Sequence, residues 1–129
     1  AAKPGRFLLI PDPALERARL VAPRIDSRDV FELAAGLGWL TSEGALGDPW
    51  FEEHEILVTM SWRPRKIRDW LQAHDGGVVT VRTRAGAVDT DREQQSLRGS
   101  GSTNYTVFGV REGKRIVCYI TGGAEESSG

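Results

Sequence analysis

Between Trp62 and Ile120 the spacing of apolar residues changes period repeatedly, and few folds satisfy the resulting order. Ile67, Trp70, Leu71 and His74 recur at i, i+3, i+4 and i+7, the stripe of a helix with one buried side that starts at Pro64. Gly76-Gly77 reads as its end. Val78–Arg84 then alternates as a strand does, Val79 and Val81 to one face, Thr80, Arg82 and Arg84 to the other. Thr90, with Glu93 three residues later, reads as a capping box opening a short helix through Leu97. Gly99–Ser102 reads as a flexible turn. Tyr105–Val110 and Arg115–Ile120 flank Glu112-Gly113 as the strands of a hairpin. A two-residue loop there sets Gly109 opposite Ile116, Val107 opposite Cys118 and Tyr105 opposite Ile120, and makes one hairpin face almost wholly apolar. The other face, with Phe108, Tyr119 and Arg115, is mixed and is expected to be partly covered.

The first half is less regular. Phe7–Ile10, an apolar run between Gly5 and Pro11, predicts a buried strand. Asp12 can cap, and Pro13 can open, a helix that presents Leu15, Ala18, Val21 and Ala22 inward and ends at Pro23. A second helix is expected from Asp26 or Ser27, with Val30, Phe31, Leu33 and Ala34 inward and Gly36 as its stop. Gly38–Thr41 is a further short strand and residues 42–49 are loop. Glu55–Ser61, with Ile56, Val58 and Met60 on one face, is a strand leading into the Trp62 stretch. The chain therefore reads as α+β, its second half a βαβαββ unit with the hairpin last.

A chain of 129 residues can bury enough surface to fold without a disulfide or a metal. Its one cysteine, Cys118, excludes an internal disulfide framework and fits a cytoplasmic location. No apolar run approaches the roughly 20 residues of a membrane span, and the start AAKPGR does not resemble a signal peptide. The absence of an initiator Met suggests a piece of a longer protein or a processed chain.

Catalytic patterns are not evident. His54 and His74 lie on different predicted elements without a third metal ligand at a recognisable spacing. Glu52, Glu53 and Glu55 are crowded along one strand entry rather than placed as an acid/base pair. Cys118 falls on the apolar hairpin face, where a thiol is inert packing. The Gly-Ser-Gly-Ser run at 99–102 leads into a strand, whereas phosphate loops feed helix N-termini. Charge is more informative. Residues 1–61 hold 6 Lys/Arg against 10 Asp/Glu, and residues 62–129 hold 11 against 8, so a net charge of −1 conceals a basic second half. Arg63, Arg65, Lys66 and Arg68 open the Trp62 helix, where they oppose its dipole, and Arg82 and Arg84 end the next strand. Together they could form one phosphate-binding surface for RNA.

Seven segments carry a wider resemblance: PGRFLLIPDPALERARLV, GWLTSE, FEEHEIL, RKIRDWL, VVTVRTR, VDTDREQQSLRGSG and TNYTVFGVREGKRIVCYI, spread over residues 4–121. In order and spacing the chain resembles the C-terminal region of a bacterial family of S-adenosylmethionine-dependent methyltransferases, a ferredoxin-like segment followed by a THUMP-like domain. The resemblance implies the ferredoxin-like segment at 6–61 and the THUMP-like domain at 62–121, sharing the strand from about residue 54; residues 1–5 read as a linker, and the tail at 122–129, low in apolar residues, as disordered or a trailing linker. It implies a non-catalytic region that binds or positions RNA, tRNA or rRNA among the candidates. The S-adenosylmethionine pocket would lie in a methyltransferase domain N-terminal to Ala1, and this region itself would hold no cofactor. The alternative is a structural scaffold or protein-interaction domain that packs on that domain, or on a second subunit, without touching RNA. At 82–87 the chain reads RTRAGA where the family shows a tighter basic turn, so no binding residue is carried over from the family. Arg63, Arg65, Lys66, Arg68, Arg82 and Arg84 rest on charge and position alone.

Overall fold

A computed structural model describes residues 5–25, 29–33, 38–84 and 87–122. The chain divides into two compact units, Ala1–Ile56 and Leu57–Gly129. Both are mixed α+β, with short helices and mostly antiparallel strands.

In the first unit β1 (Phe7–Pro11) is the inner strand, buried because its run of apolar residues has no polar alternate. It pairs antiparallel with β3 (Leu40–Ser42) and with β4 (Phe51–Ser61), whose last residues belong to the second unit. A three-residue strand, β2 (Val30–Glu32), pairs with β3 to give the order β2-β3-β1-β4. Leu9, Leu15, Val30, Leu40 and Phe51 form the core on one side. β4 begins four residues before the expected Glu55, because pairing with β1 carries the charged run Glu52–Glu55 into the ladder.

Two helix expectations are corrected here. Asp12 caps α1 (Pro13–Arg17) as its position implies, accepting from the Ala14 N–H at 2.8 Å. That helix does not continue to Pro23. Arg19 adopts the left-handed conformation at φ 59°, the Leu20 N–H reaches the Leu15 carbonyl, and the Arg19 N–H reaches Glu16, which closes the helix as a Schellman motif. A separate α2 (Val21–Ile25) follows and contains Pro23. Proline is tolerated there because first-turn N–H groups have no intrahelical acceptor to lose. The expected second helix is instead β2 at its described residues. Val30 and Leu33 are buried, but Phe31 is 56% exposed, so strand pairing with Thr41 overrides the helical spacing. The proposed caps Asp26 and Ser27, with Ala34 and Gly36, lie outside the described residues.

The second unit runs from the end of β4 through α3 (Pro64–Ala73), β5 (Gly76–Thr83), α4 (Thr90–Leu97), β6 (Thr103–Glu112) and β7 (Arg115–Gly122), in the order β-α-β-α-β-β. Its strand order is β4-β7-β6-β5, with β5 parallel to β6 and β6 antiparallel to β7. Ile67 and Leu71 of α3 and Leu97 of α4 pack on Val79, Val81, Tyr105, Val107, Cys118 and Ile120. Alternation assigns those strand residues to one sheet face, the helix-covered one. The opposite hairpin face is also fully buried at Phe108, Val110, Val117 and Tyr119, rather than partly covered.

The hairpin register differs from expectation by two residues. Gly113, at φ +66°, takes the first central turn position with Lys114 second, so Glu112 faces Arg115, Gly109 faces Cys118 and Val107 faces Ile120. A turn of this length with positive φ at its first central residue favours glycine there. A shift of two preserves which side chains share a face. The cap of α4 is Asp89, one residue before the expected Thr90; its Oδ1 accepts from the Arg92 N–H, and Glu93 Oε1 is left buried without a hydrogen-bond partner among the described residues. Gly76 and Gly77 belong to β5 rather than to the helix end, where Asp75 turns the chain at φ 61°.

The glycine segment after α4 is tied down. Gly99 N–H donates to Gly77 O at 3.0 Å, Gly101 N–H to Gly76 O at 2.9 Å, and Thr103 N–H to Asp75 O at 2.9 Å. At the outer strand β5, the Val81 N–H donates to the side-chain oxygen of Gln94 on α4 at 2.8 Å.

Burial pushes the Cys118 thiol up to about 12 from 9.0. The unfolded thiol therefore loses its proton first as pH rises, and this group's contribution to stability falls between those two values. Iodoacetamide labelling of Cys118 at pH 8 is expected to be negligible on the native protein and to track unfolding in urea. Fast labelling without denaturant would contradict this placement.

Candidate nucleic-acid interface

Pro64 opens α3 at its first position, and Arg63 stands at the cap without a side-chain hydrogen bond to the helix end. Ile67 and Leu71 turn inward, and Arg63, Arg65 and Lys66, which precede them, are exposed. No acidic residue occupies the first turn. Cations at this end work against the helix dipole, by about 0.3–1 kcal/mol each at an exposed site. Helix stability does not account for them.

Arg68 is different. Its Nε donates to the Ser96 carbonyl at 3.2 Å and its Nη2 to Ser96 Oγ at 2.9 Å, tying α3 to the end of α4. Arg82 is half-buried and lies over the Phe108 ring at 5.5 Å, on the sheet face opposite to that covered by α3. Arg84 follows the end of β5, also half-buried. The expectation of one surface shared by all six is corrected: Arg63, Arg65 and Lys66 are grouped, Arg68 is a tether between helices, and Arg82 points to the other face.

The second unit supplies cations that the sequence reading missed. The Trp62 N–H donates to the Ile116 carbonyl at 2.8 Å, which sets the start of α3 beside the hairpin end. Arg111 is registered with Ile116 and Arg115 with Glu112, with Lys114 in the turn, and all three are exposed. Glu112, the acid among them, is engaged: Tyr119 donates its phenol hydrogen to Glu112 Oε2. Burial, reinforced by that carboxylate, raises the Tyr119 phenol far above its ordinary range. The signal in sequence was the run REGKR, but its meaning depends on β7 lying next to β4, which local pattern does not reveal.

The remaining candidates hold structural contacts. His54 Nε2 lies 3.1 Å from Glu52 Oε1. His74 caps α3, stacks on Trp70 at 3.9 Å, and holds its Nδ1 2.7 Å from the Trp70 carbonyl. Glu53 accepts from the Leu46 and Gly47 N–H groups and shapes the loop before β4, while Glu55 pairs with Arg6 at 2.8 Å. An open cleft in the first unit is lined by Val21, Ala22 and Leu40 together with Glu16, Arg19 and Glu32. Among the described residues no group of three His, Cys, Asp or Glu is placed to hold a metal ion. No helix among them is long and apolar enough to cross a membrane.

No protein-family model matches the chain. Two uncharacterised S-adenosylmethionine-dependent methyltransferases of Mycobacterium tuberculosis, from strains CDC 1551 / Oshkosh and ATCC 25618 / H37Rv, are each 26% identical to it over 117 residues. The match takes in 91% of this chain and 32% of each relative. The crystal structure of a provisionally assigned methyltransferase from Porphyromonas gingivalis W83 is similar with a TM-score of 0.66 at 15% identity, over 97% of this chain and 31% of that one. At that identity the structural likeness concerns the fold. The chain resembles one region of a methyltransferase, and spans about a third of the length of the curated relatives it matches.

Proposed function

We propose that this chain is a non-catalytic region of an S-adenosylmethionine-dependent methyltransferase and positions an RNA substrate through its phosphates. Methyl transfer and the S-adenosylmethionine pocket would then belong to the part of the protein that corresponds to the other two-thirds of the relatives. The observation that carries the reading is the exposed group Arg63, Arg65 and Lys66, held at a helix end where cations are unfavourable for the helix itself. Arg68 supports the interface from within the unit by fixing α3 against α4 through Ser96, whereas Arg82, on the opposite sheet face, stands apart from it.

Binding of this kind is dominated by counterion release, so affinity falls with salt by about 0.9 log units per contact for each tenfold change. Fluorescence anisotropy of the chain against labelled tRNA at 50 and 200 mM salt tests it. Three contacts predict about a 40-fold weakening over that range. The Arg65→Glu, Lys66→Glu double variant is expected to bind at least tenfold more weakly at the lower salt. Equal and negligible binding by both proteins would remove the RNA reading; tight association with the separately expressed catalytic region would then favour a scaffold.

A further inference from the structure

We infer that the β6–β7 hairpin tip is the second arm of this interface, and that the two arms together hold double-stranded RNA by its phosphates. The inference rests on the reading of α3 as an RNA-contacting element and adds a site and a substrate form to it.

Position comes first. The Trp62–Ile116 hydrogen bond places the first turn of α3 at the end of the unit where the hairpin turns. Lys114 lies two residues beyond Ile116, at about 3.4 Å per residue, and one strand spacing of about 4.8 Å from Trp62. The backbones of the two arms are thus roughly 8–10 Å apart, by the same spacings. Arg111 and Lys114 are exposed there, while Arg115 shares the opposite face with Val117 and Tyr119 and is registered against Glu112, the acceptor of the Tyr119 phenol hydrogen. Double-stranded DNA carries a charge about every 1.7 Å of its axis, both strands counted, and at comparable density on an RNA duplex each arm meets a phosphate of its own.

Ring placement selects the form of RNA. Single strands are held largely by bases stacked on exposed aromatic faces. At this end Trp62 is half-buried and seated over Gly109: a Cβ on that glycine would stand 3.2 Å from the indole and 3.3 Å from Val88. Phe108 is fully buried beneath Arg82. Among the described residues the exposed large aromatic side chains, Phe31 and Trp50, belong to the first unit, and the exposed His74 ring of the second is stacked on Trp70 at the far end of α3. This end offers cations around packed rings, which suits the phosphate and shape recognition of a duplex.

The test compares a 16-base-pair RNA duplex with one of its strands alone, by anisotropy over a salt series. The proteins are wild type, Arg65→Glu with Lys66→Glu, Arg111→Glu with Lys114→Glu, and the milder Arg111→Gln with Lys114→Gln. Circular dichroism melts check that each is folded. The duplex is expected to bind at least tenfold tighter than the strand. Each pair of Glu substitutions is expected to lower duplex affinity at least tenfold and to flatten the log–log salt slope by about 2. The Gln pair should lose less affinity and flatten the slope equally. If both tip variants titrate like wild type while the α3 variant loses binding, the second arm is wrong and the α3 reading stands. A single strand that binds as tightly as the duplex overturns the duplex assignment. Failure of wild type to bind either RNA overturns the α3 reading and this inference with it.

Discussion

Gly101→Ala is expected to destabilise the second unit by about 3 kcal/mol, at the upper end of what a forced overpacking costs. A Cβ at Gly101 would lie 2.2 Å from the Asp75 carbonyl oxygen and 2.4 Å from its carbon. Neither atom can yield easily. Asp75 is already left-handed at φ 61°, its carbonyl accepts from Thr103, and Gly101 itself is bound to Gly76. At about 4–8 °C per kcal/mol for a small domain, the midpoint should fall by about 12–24 °C. Gly44→Ala, where a Cβ meets nothing within 4 Å, should leave it unchanged. Gly113→Ala has open space but a left-handed φ of +66°, and should cost about 1–2 kcal/mol. Differential scanning calorimetry orders the three variants; a Gly101→Ala melt within 3 °C of wild type would refute the backbone crossing described above.

Leu71→Ala should cost as much by the opposite defect. Leu71 is 2% exposed and sits in the core between α3, β5 and α4. The site cannot collapse well, because Gly76 already approaches the Leu71 backbone so closely that a Cβ there would lie 2.7 Å from the Leu71 carbonyl oxygen. Truncations of this kind cost about 3–4 kcal/mol. Urea titration should show a lower midpoint with an unchanged slope. Leu57→Ala, at a residue 48% exposed, should stay within about 0.5 kcal/mol of wild type. The comparison with the Arg65→Glu, Lys66→Glu pair separates two effects on one helix. Leu71→Ala should spare RNA binding at temperatures where it remains folded, whereas the charge reversal should remove binding and leave the melt nearly in place.

What the sequence made legible follows from where each signal originates. The Ile67–Leu71 stripe, the Val79/Val81 alternation and the apolar hairpin face are local periodicities, and they lead directly to the elements observed. Asp12 with Pro13 likewise marks a helix start through chemistry confined to three residues. Errors arose where the deciding partner is distant. Val30 and Leu33 have helical spacing, but Ser42 opposite Val30, and the Trp39 carbonyl that accepts from the Leu33 N–H, supply the partners that override it. Gly76 and Gly77 look like a helix stop, yet Gly77 has no room for a side chain against the passage of Gly101, and Gly76 none against the Leu71 backbone. The candidate interface shows both cases. The α3 cations are contiguous in sequence and were visible. The separation of Arg82 from them required knowing its sheet face, and the hairpin cations joined only through the neighbour relation of β7 and β4.

The side chain of Gln94 has a consequence for how this protein meets others of its kind. An outer strand with open N–H groups is a template on which another chain can lay a strand. In the second unit Gln94 occupies the Val81 donor, and Gly99 occupies the carbonyl of Gly77. A guest strand along β5 would first have to evict an amide from α4 and lift the glycine crossing. That side of the unit therefore resists open-ended pairing with strands from other copies of the chain.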